Sequence, residues 1–138
     1  MPTAVIVTGS RYAVRSEWGH TIGTALLSLD LQPNDLVIHG ACSGIDSIAD
    51  EMAREININT LAMPAQWNDF GIIAGPIRNK HMLDVLLSLR ECSWTAKVLA
   101  FHDDFDNSKG TKNMTNQALA KAIPTTLYHS DGTRKELT

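Results

Sequence analysis

The sequence predicts one α/β domain built on a mainly parallel, five-stranded sheet with helices on both faces. Three observations lead there. Short apolar runs rich in β-branched residues recur, each ending at a glycine or a polar turn. A segment with apolar residues at helical spacing follows each of the first four. The two patterns alternate along the whole chain, which is how βαβ units read.

The elements follow in order. Ala4-Val5-Ile6-Val7-Thr8 is a strand buried on both faces, ending at Gly9. Ser16 and Glu17 open a helix carrying Trp18, Ile22, Ala25, Leu26 and Leu29, which stops before Pro33 and Asn34. Leu36 to His39 is the second strand, ending at Gly40, and Ile45, Ile48, Ala49, Met52 and Ala53 mark the second helix. Asn59 to Met63 is a third strand stopped by Pro64. A loop through Trp67, Phe70, Gly71 and Gly75 leads to Pro76, placed as the first residue of a helix with Ile77, Met82, Val85, Leu86 and Leu89. Ala96 to Phe101 is the fourth strand, His102 to Gly110 a polar loop, and Thr111 starts a helix with Met114, Ala118 and Ala122. Pro124 precedes the fifth strand, through Leu127 and Tyr128, and residues 130–138 read as a loose tail. Right-handed crossovers favour the strand order 3-2-1-4-5.

The 138 residues make one domain, 1–138, large enough to fold without a disulfide or metal staple. No apolar run approaches the roughly 20 residues of a membrane helix, and the N-terminus lacks the basic flank of a signal peptide. Cys42 and Cys92 lack metal-ligand spacing and read as free buried thiols of a cytoplasmic protein. His20, His39, His81, His102 and His129 form no spaced cluster, so no metal site is expected. The net charge of -3, without a basic run, weighs against a nucleic-acid partner.

Ligands of open parallel sheets bind beyond the carboxyl ends of the strands. Four turns fall there: Gly9-Ser10-Arg11; Gly40 to Asp46, with Ser43 and Gly44; Ala74 to Asn79, with Gly75 and Arg78; and Ser108 to Thr111, with Gly110. Glycine allows close backbone approach, and helix starts favour anions. Arg11 and Arg78 offer forked donors for a phosphate, and Ser10, Ser43 and Thr111 add hydroxyls. Each residue also has a plain structural reading. Gly40 and Gly44 can simply make a tight βα turn. Asp46 can hold a ribose hydroxyl or favour a helix N-terminus by its charge. Trp67 can stack on a base or lie in the core under a loop, and Asn79 can cap a helix or touch a ligand.

Read in order, Gly9-Ser10-Arg11, Gly40-x3-Gly44-x-Asp46, Ala65-x-Trp67, Ala74-Gly75-x2-Arg78-Asn79-x2-Met82 and Gly110-Thr111-x2-Met114 resemble the YspA-like branch of the SLOG superfamily. That superfamily includes the LOG phosphoribohydrolases, DNA-processing protein A and sensors of nucleotide-derived signals. The resemblance runs from Val5 to Pro124 and implies a Rossmann-like fold that binds nucleotides or their derivatives. LOG enzymes carry a catalytic glutamate three residues past a glycine-threonine pair. Here Gly110 and Thr111 match, Asp106-Asn107-Ser108 replaces the preceding proline-glycine-glycine, and Met114 stands at the glutamate position. Methionine cannot move protons or stabilise an oxocarbenium-like centre.

The expected function is therefore binding of a phosphate-bearing nucleotide or nucleotide-derived small molecule, in a sensing or sequestering role, without catalysis and without a cofactor. The alternatives are a nucleotide N-glycosidase of LOG type and a nucleic-acid-binding module. A homo-oligomer is expected, a dimer or higher, paired through helix faces bearing Leu86 and Leu89 or Leu26 and Leu29.

Overall fold

A computed structural model describes residues 1–138. The chain runs β1 (Thr3–Gly9), α1 (Arg15–Ser28), β2 (Leu36–His39), α2 (Ile45–Glu55), β3 (Asn59–Ala62), α3 (Trp67–Phe70), α4 (Ala74–Glu91), β4 (Thr95–Phe101), α5 (Gly110–Ala120), β5 (Thr125–Tyr128) and β6 (Arg134–Leu137). The sheet order is β3-β2-β1-β4-β5-β6, and the first five strands are parallel. The expected 3-2-1-4-5 order is present, with one strand added.

That sixth strand corrects the expected loose tail. Arg134–Leu137 pairs antiparallel to β5, with Thr125 opposite Leu137 and Tyr128 opposite Arg134. Its residues are charged because it is an edge strand with little to bury. Two starts also move: α4 begins at Ala74, two residues before Pro76, and Trp67–Phe70 is a helical turn rather than loop.

The strand alternation decides which helices pack where. Val5, Val7, Val37, Leu99 and Phe101 point to the face covered by α1 and α2, meeting Trp18, Ile22, Leu26, Ile45 and Ile48. Ala4, Ile6, Ile38, Ala96 and Val98 point to the other face, meeting Met82, Leu83 and Leu86 of α4 and Met114 and Ala118 of α5. Phe101 lies edge-on to Trp18 at 6.3 Å and stacks on Tyr128 at 5.0 Å. Leu26 and Leu86 are thus core, and Leu29 and Leu89 pack against it, so neither expected helix face is free for pairing. Cys42 and Cys92 are unpaired, and Cys92 is exposed rather than buried. No helix is long and apolar enough to cross a membrane.

The chain moves outward from β1 to β3, then returns to the other side of β1 at β4. The strand order therefore reverses between β1 and β4, and a crevice opens above their carboxyl ends.

Candidate functional site

At that reversal lies a cleft of about 620 Å³. Gly9, Ser10, Arg11 and Tyr12 line it from the end of β1. His102 and Asp104 follow β4, and Asn107 to Thr111 lead into α5. Six residues singled out in the sequence meet here: Gly9, Ser10, Arg11, Ser108, Gly110 and Thr111.

The α5 N-terminus faces this cleft uncapped. Lys109 at the cap position makes no side-chain hydrogen bond to the helix. Asn113 N–H is the first amide to donate to the preceding turn, to the Lys109 carbonyl at 3.0 Å. The amides of Gly110, Thr111 and Lys112 are left without a protein acceptor. The Ser108 hydroxyl is turned away, donating to the Phe105 carbonyl at 2.7 Å. Neither Arg11 nor Lys109 is in an ion pair. The partial positive charge of the helix end and the cations Arg11 and Lys109 thus share one opening with a single carboxylate, Asp104.

A smaller hollow of about 310 Å³ adjoins, lined by Arg11, Gly40 to Ser43, Pro64, Ala65 and Trp67. Arg11 belongs to both spaces. Trp67 is exposed, so it is not core under a loop, and Gly75 lies beneath the indole, where a Cβ would sit 3.4 Å from the ring.

The turn from Gly40 to Asp46 is different in kind, because its polar groups are bonded to the protein. Asp46 is buried and accepts N–H bonds from Gly40 at 2.9 Å and Cys42 at 3.3 Å. Burial raises its pKa above the ordinary carboxylate value, against the N–H bonds from Cys42 and Gly40 and the nearby Arg78 guanidinium. The Ser43 hydroxyl donates to the Arg11 carbonyl at 2.9 Å, and Ile45 N–H to the Ser10 carbonyl at 3.0 Å. Gly44 has φ +78, and a Cβ there would run into the Ser10 carbonyl and the Arg11 backbone. His39, also buried, accepts Ala41 N–H at its Nδ1, 3.0 Å away, and therefore offers Nε2–H to Asp50 at 2.8 Å.

Arg78 does not face Arg11 across a common crevice. Its Nη1 donates to the Gly40 carbonyl at 2.6 Å and its Nε to Asn79 Oδ1 at 3.0 Å. A Cβ at Gly40 would strike this guanidinium. The charge near the α4 start is thus met by the carbonyl of Gly40, just past β2, and Arg78 lines a separate hollow with Pro64, Phe70 and Ile77. Asn79 lies inside α4 and is buried, not at a cap. Its Nδ2 donates to the Gly110 carbonyl at 3.2 Å and to Asn113 Oδ1 at 3.1 Å, which fixes where α5 begins.

The sequence reading missed Tyr12, His102, Asp104, Asn107 and Lys109 in the cleft. His102 had a usable signal, being the first residue after β4. Its Nδ1 accepts Asp104 N–H at 3.0 Å, which leaves Nε2 to carry the proton of the neutral ring. Burial lowers its pKa, against the charges of Asp104 and Asp103.

No family model matches the chain, and no curated protein matches it in sequence. A solved structure does match in fold: DNA processing protein A (DprA) from Streptococcus pneumoniae, with TM-score 0.64 and 13% identity. The match covers 93% of this chain and 50% of that one, so the chain spans half the length of the protein it resembles. At that identity the likeness establishes the fold: a Rossmann-like α/β domain of the kind found in DprA.

Proposed function

We propose that this chain binds a phosphate-bearing nucleotide or nucleotide-derived small molecule in the cleft between β1 and β4, in a sensing or sequestering role. One observation carries the reading: the three unpartnered amides at the α5 start open into a cleft that also holds the unpaired cations Arg11 and Lys109. Phosphate oxygens accept from such amides and from a guanidinium fork at once. The base would lie in the adjoining hollow against Trp67, with Arg11 between the two ends. Binding without LOG-type hydrolysis is supported by Met114, which is fully buried in the core and not in the cleft. The order of the glycine motifs supports placement in the YspA-like branch.

Titration calorimetry with a panel of nucleoside 5′-monophosphates and inorganic phosphate tests this. At least one nucleotide should bind, and Arg11→Ala should weaken it by about one to two decades, the loss of one charge-assisted contact. Its folding should stay within about 0.5 kcal/mol of the parent, because Arg11 is exposed. No heat from any phosphate ligand would sink the proposal.

A second reading is favoured by the fold likeness to a DNA-processing protein and by exposed Tyr12 and Trp67 lining spaces that share Arg11. Aromatic platforms beside cations suit single-stranded nucleic acid. An oligonucleotide that binds far more tightly than its mononucleotide, with strong salt dependence, would select this reading.

A further inference from the structure

Two hollows of about 290 and 370 Å³ adjoin each other between α1 and the β5–β6 pair, sharing Ser28, Tyr128 and Arg134. Together they make a groove within the size range of small-molecule sites, roughly 300–1,000 Å³. None of its lining residues belongs to the cleft or to the Trp67 hollow.

Tyr128 stands where the two hollows meet. It is 7% exposed, and its ring stacks on Phe101 at 5.0 Å. A buried tyrosine hydroxyl ordinarily finds a protein partner. This one has none, and no fully enclosed polar side-chain atom lacks a partner, so the hydroxyl opens to the groove. Lys97 is the second anomaly. It lies on the central strand β4 beside Val5, on the face that Val5, Leu99 and Phe101 give to the core, and is half-buried without an ion pair. Arg134, opposite Tyr128 in the β5–β6 pair, is likewise in no ion pair. The carboxylates of the groove are engaged locally. Glu136 accepts the Thr126 hydroxyl at 2.8 Å, and Asp131 accepts the N–H and hydroxyl of Thr133 at 2.9 and 2.6 Å. Three donors without an acceptor therefore share one groove: a phenol hydroxyl, a guanidinium and an ammonium.

We propose that this groove is a second ligand site, separate from the cleft, for a small polyanion bearing carboxylate or phosphate groups. Anionic oxygen is the chemistry that all three donors lack. A guanidinium fork holds two such oxygens at once, and the hydroxyl beside it donates a third bond. Lys97 meets a second anionic group of the same molecule. It precedes Phe101, whose row across the sheet holds Tyr128 and Arg134, by about 13 Å of strand, a gap that the long Lys97 and Arg134 side chains shorten. Leu29 and Pro124 line the groove and give apolar contact to the carbon skeleton between the charges. The site stands or falls independently of the nucleotide reading, because no residue serves both.

Amide NMR of the full chain, titrated with citrate and separately with inorganic phosphate, tests it. Signals of Lys97, Tyr128 and Arg134 should shift and saturate with at least one of the two, and the tighter of them names the anion class. The same shifts should persist in Arg11→Ala, which separates the groove from the cleft. Tyr128→Phe removes one oxygen and keeps the stacked ring, so the fold should hold while groove affinity falls by about threefold or more. Arg134→Gln removes the exposed guanidinium and should cost about tenfold or more. An absence of saturating shifts at these residues up to about 10 mM of either anion would overturn the proposal. So would shifts confined to the cleft, or groove binding that both Tyr128→Phe and Arg134→Gln leave at the parent's affinity.

Discussion

Two glycine-bearing turns stand at the same edge of the sheet and both lead into helices, yet they have opposite surroundings. The β2–α2 turn is crowded: a Cβ on Gly40 would strike Arg78, and one on Gly44 would strike the backbone of Ser10 and Arg11. Its amides, carbonyls and hydroxyl are bonded to Asp46, Arg78 and the β1 loop. The β4–α5 turn is open: a Cβ on Gly110 would meet nothing within 4 Å, and the amides behind it have no acceptor. A glycine turn above a parallel sheet thus has two physical causes. One is close approach by the protein's own atoms, the Arg78 side chain at Gly40 and the β1 loop backbone at Gly44; the other, on the proposed reading, is room kept for a ligand. What surrounds the missing Cβ separates them.

Substitution can break that contrast. Gly44→Ala has the largest expected effect, because it combines a left-handed backbone with a backbone collision. It should cost about 3 kcal/mol or more in urea unfolding. A loss below about 1 kcal/mol would mean the turn can rearrange and is not the rigid seam described. Next is Arg78→Ala, which removes the donor to the Gly40 carbonyl and the partner of Asn79. It should lower stability by about 1.5–3 kcal/mol, and any loss of nucleotide affinity should be the smaller effect. Normal stability with abolished binding would restore Arg78 to the phosphate site. Gly110→Ala sharpens the other side. At the first position of a helix, with space around it, alanine should stabilise by about 0.5 kcal/mol through reduced backbone freedom. Nucleotide affinity should nevertheless fall, because the added methyl stands beside the free amides. Unchanged affinity would move the ligand away from the α5 start.

The fold was legible because the central strands have almost no other way to be satisfied. Ala4 to Thr8 is apolar on both alternations, so only a strand covered on two faces suits it, and the helices on either side follow. β6 escaped because Arg134-Lys135-Glu136-Leu137 has no buried face to impose a pattern, and its pairing depends on a strand it meets only in the folded molecule. Within the site, the sequence located the turns but not their partners. Gly40, Gly44, Asp46, Ser43 and Arg78 carry ligand-type chemistry, and the molecule directs it inward through contacts as far as 38 positions apart in sequence. Arg11, Gly110 and Thr111 carry the same chemistry and remain in the cleft. Nothing local distinguishes the two sets, since both consist of glycine beside a donor.

The antiparallel course of β6 also fixes the polarity of the molecule. β5 runs toward the cleft, and β6 runs back, so Leu137 returns to the level of Thr125, where β5 begins. Thr3 starts β1 at the level of Thr95, again at the beginning of the parallel strands. Residues 3 and 137 therefore lie at the pole away from the cleft. A fluorescent reporter or a surface tether attached through either of them would leave the mouth of the cleft facing free solution, an orientation suited to a biosensor for the phosphate-bearing compound proposed to enter it.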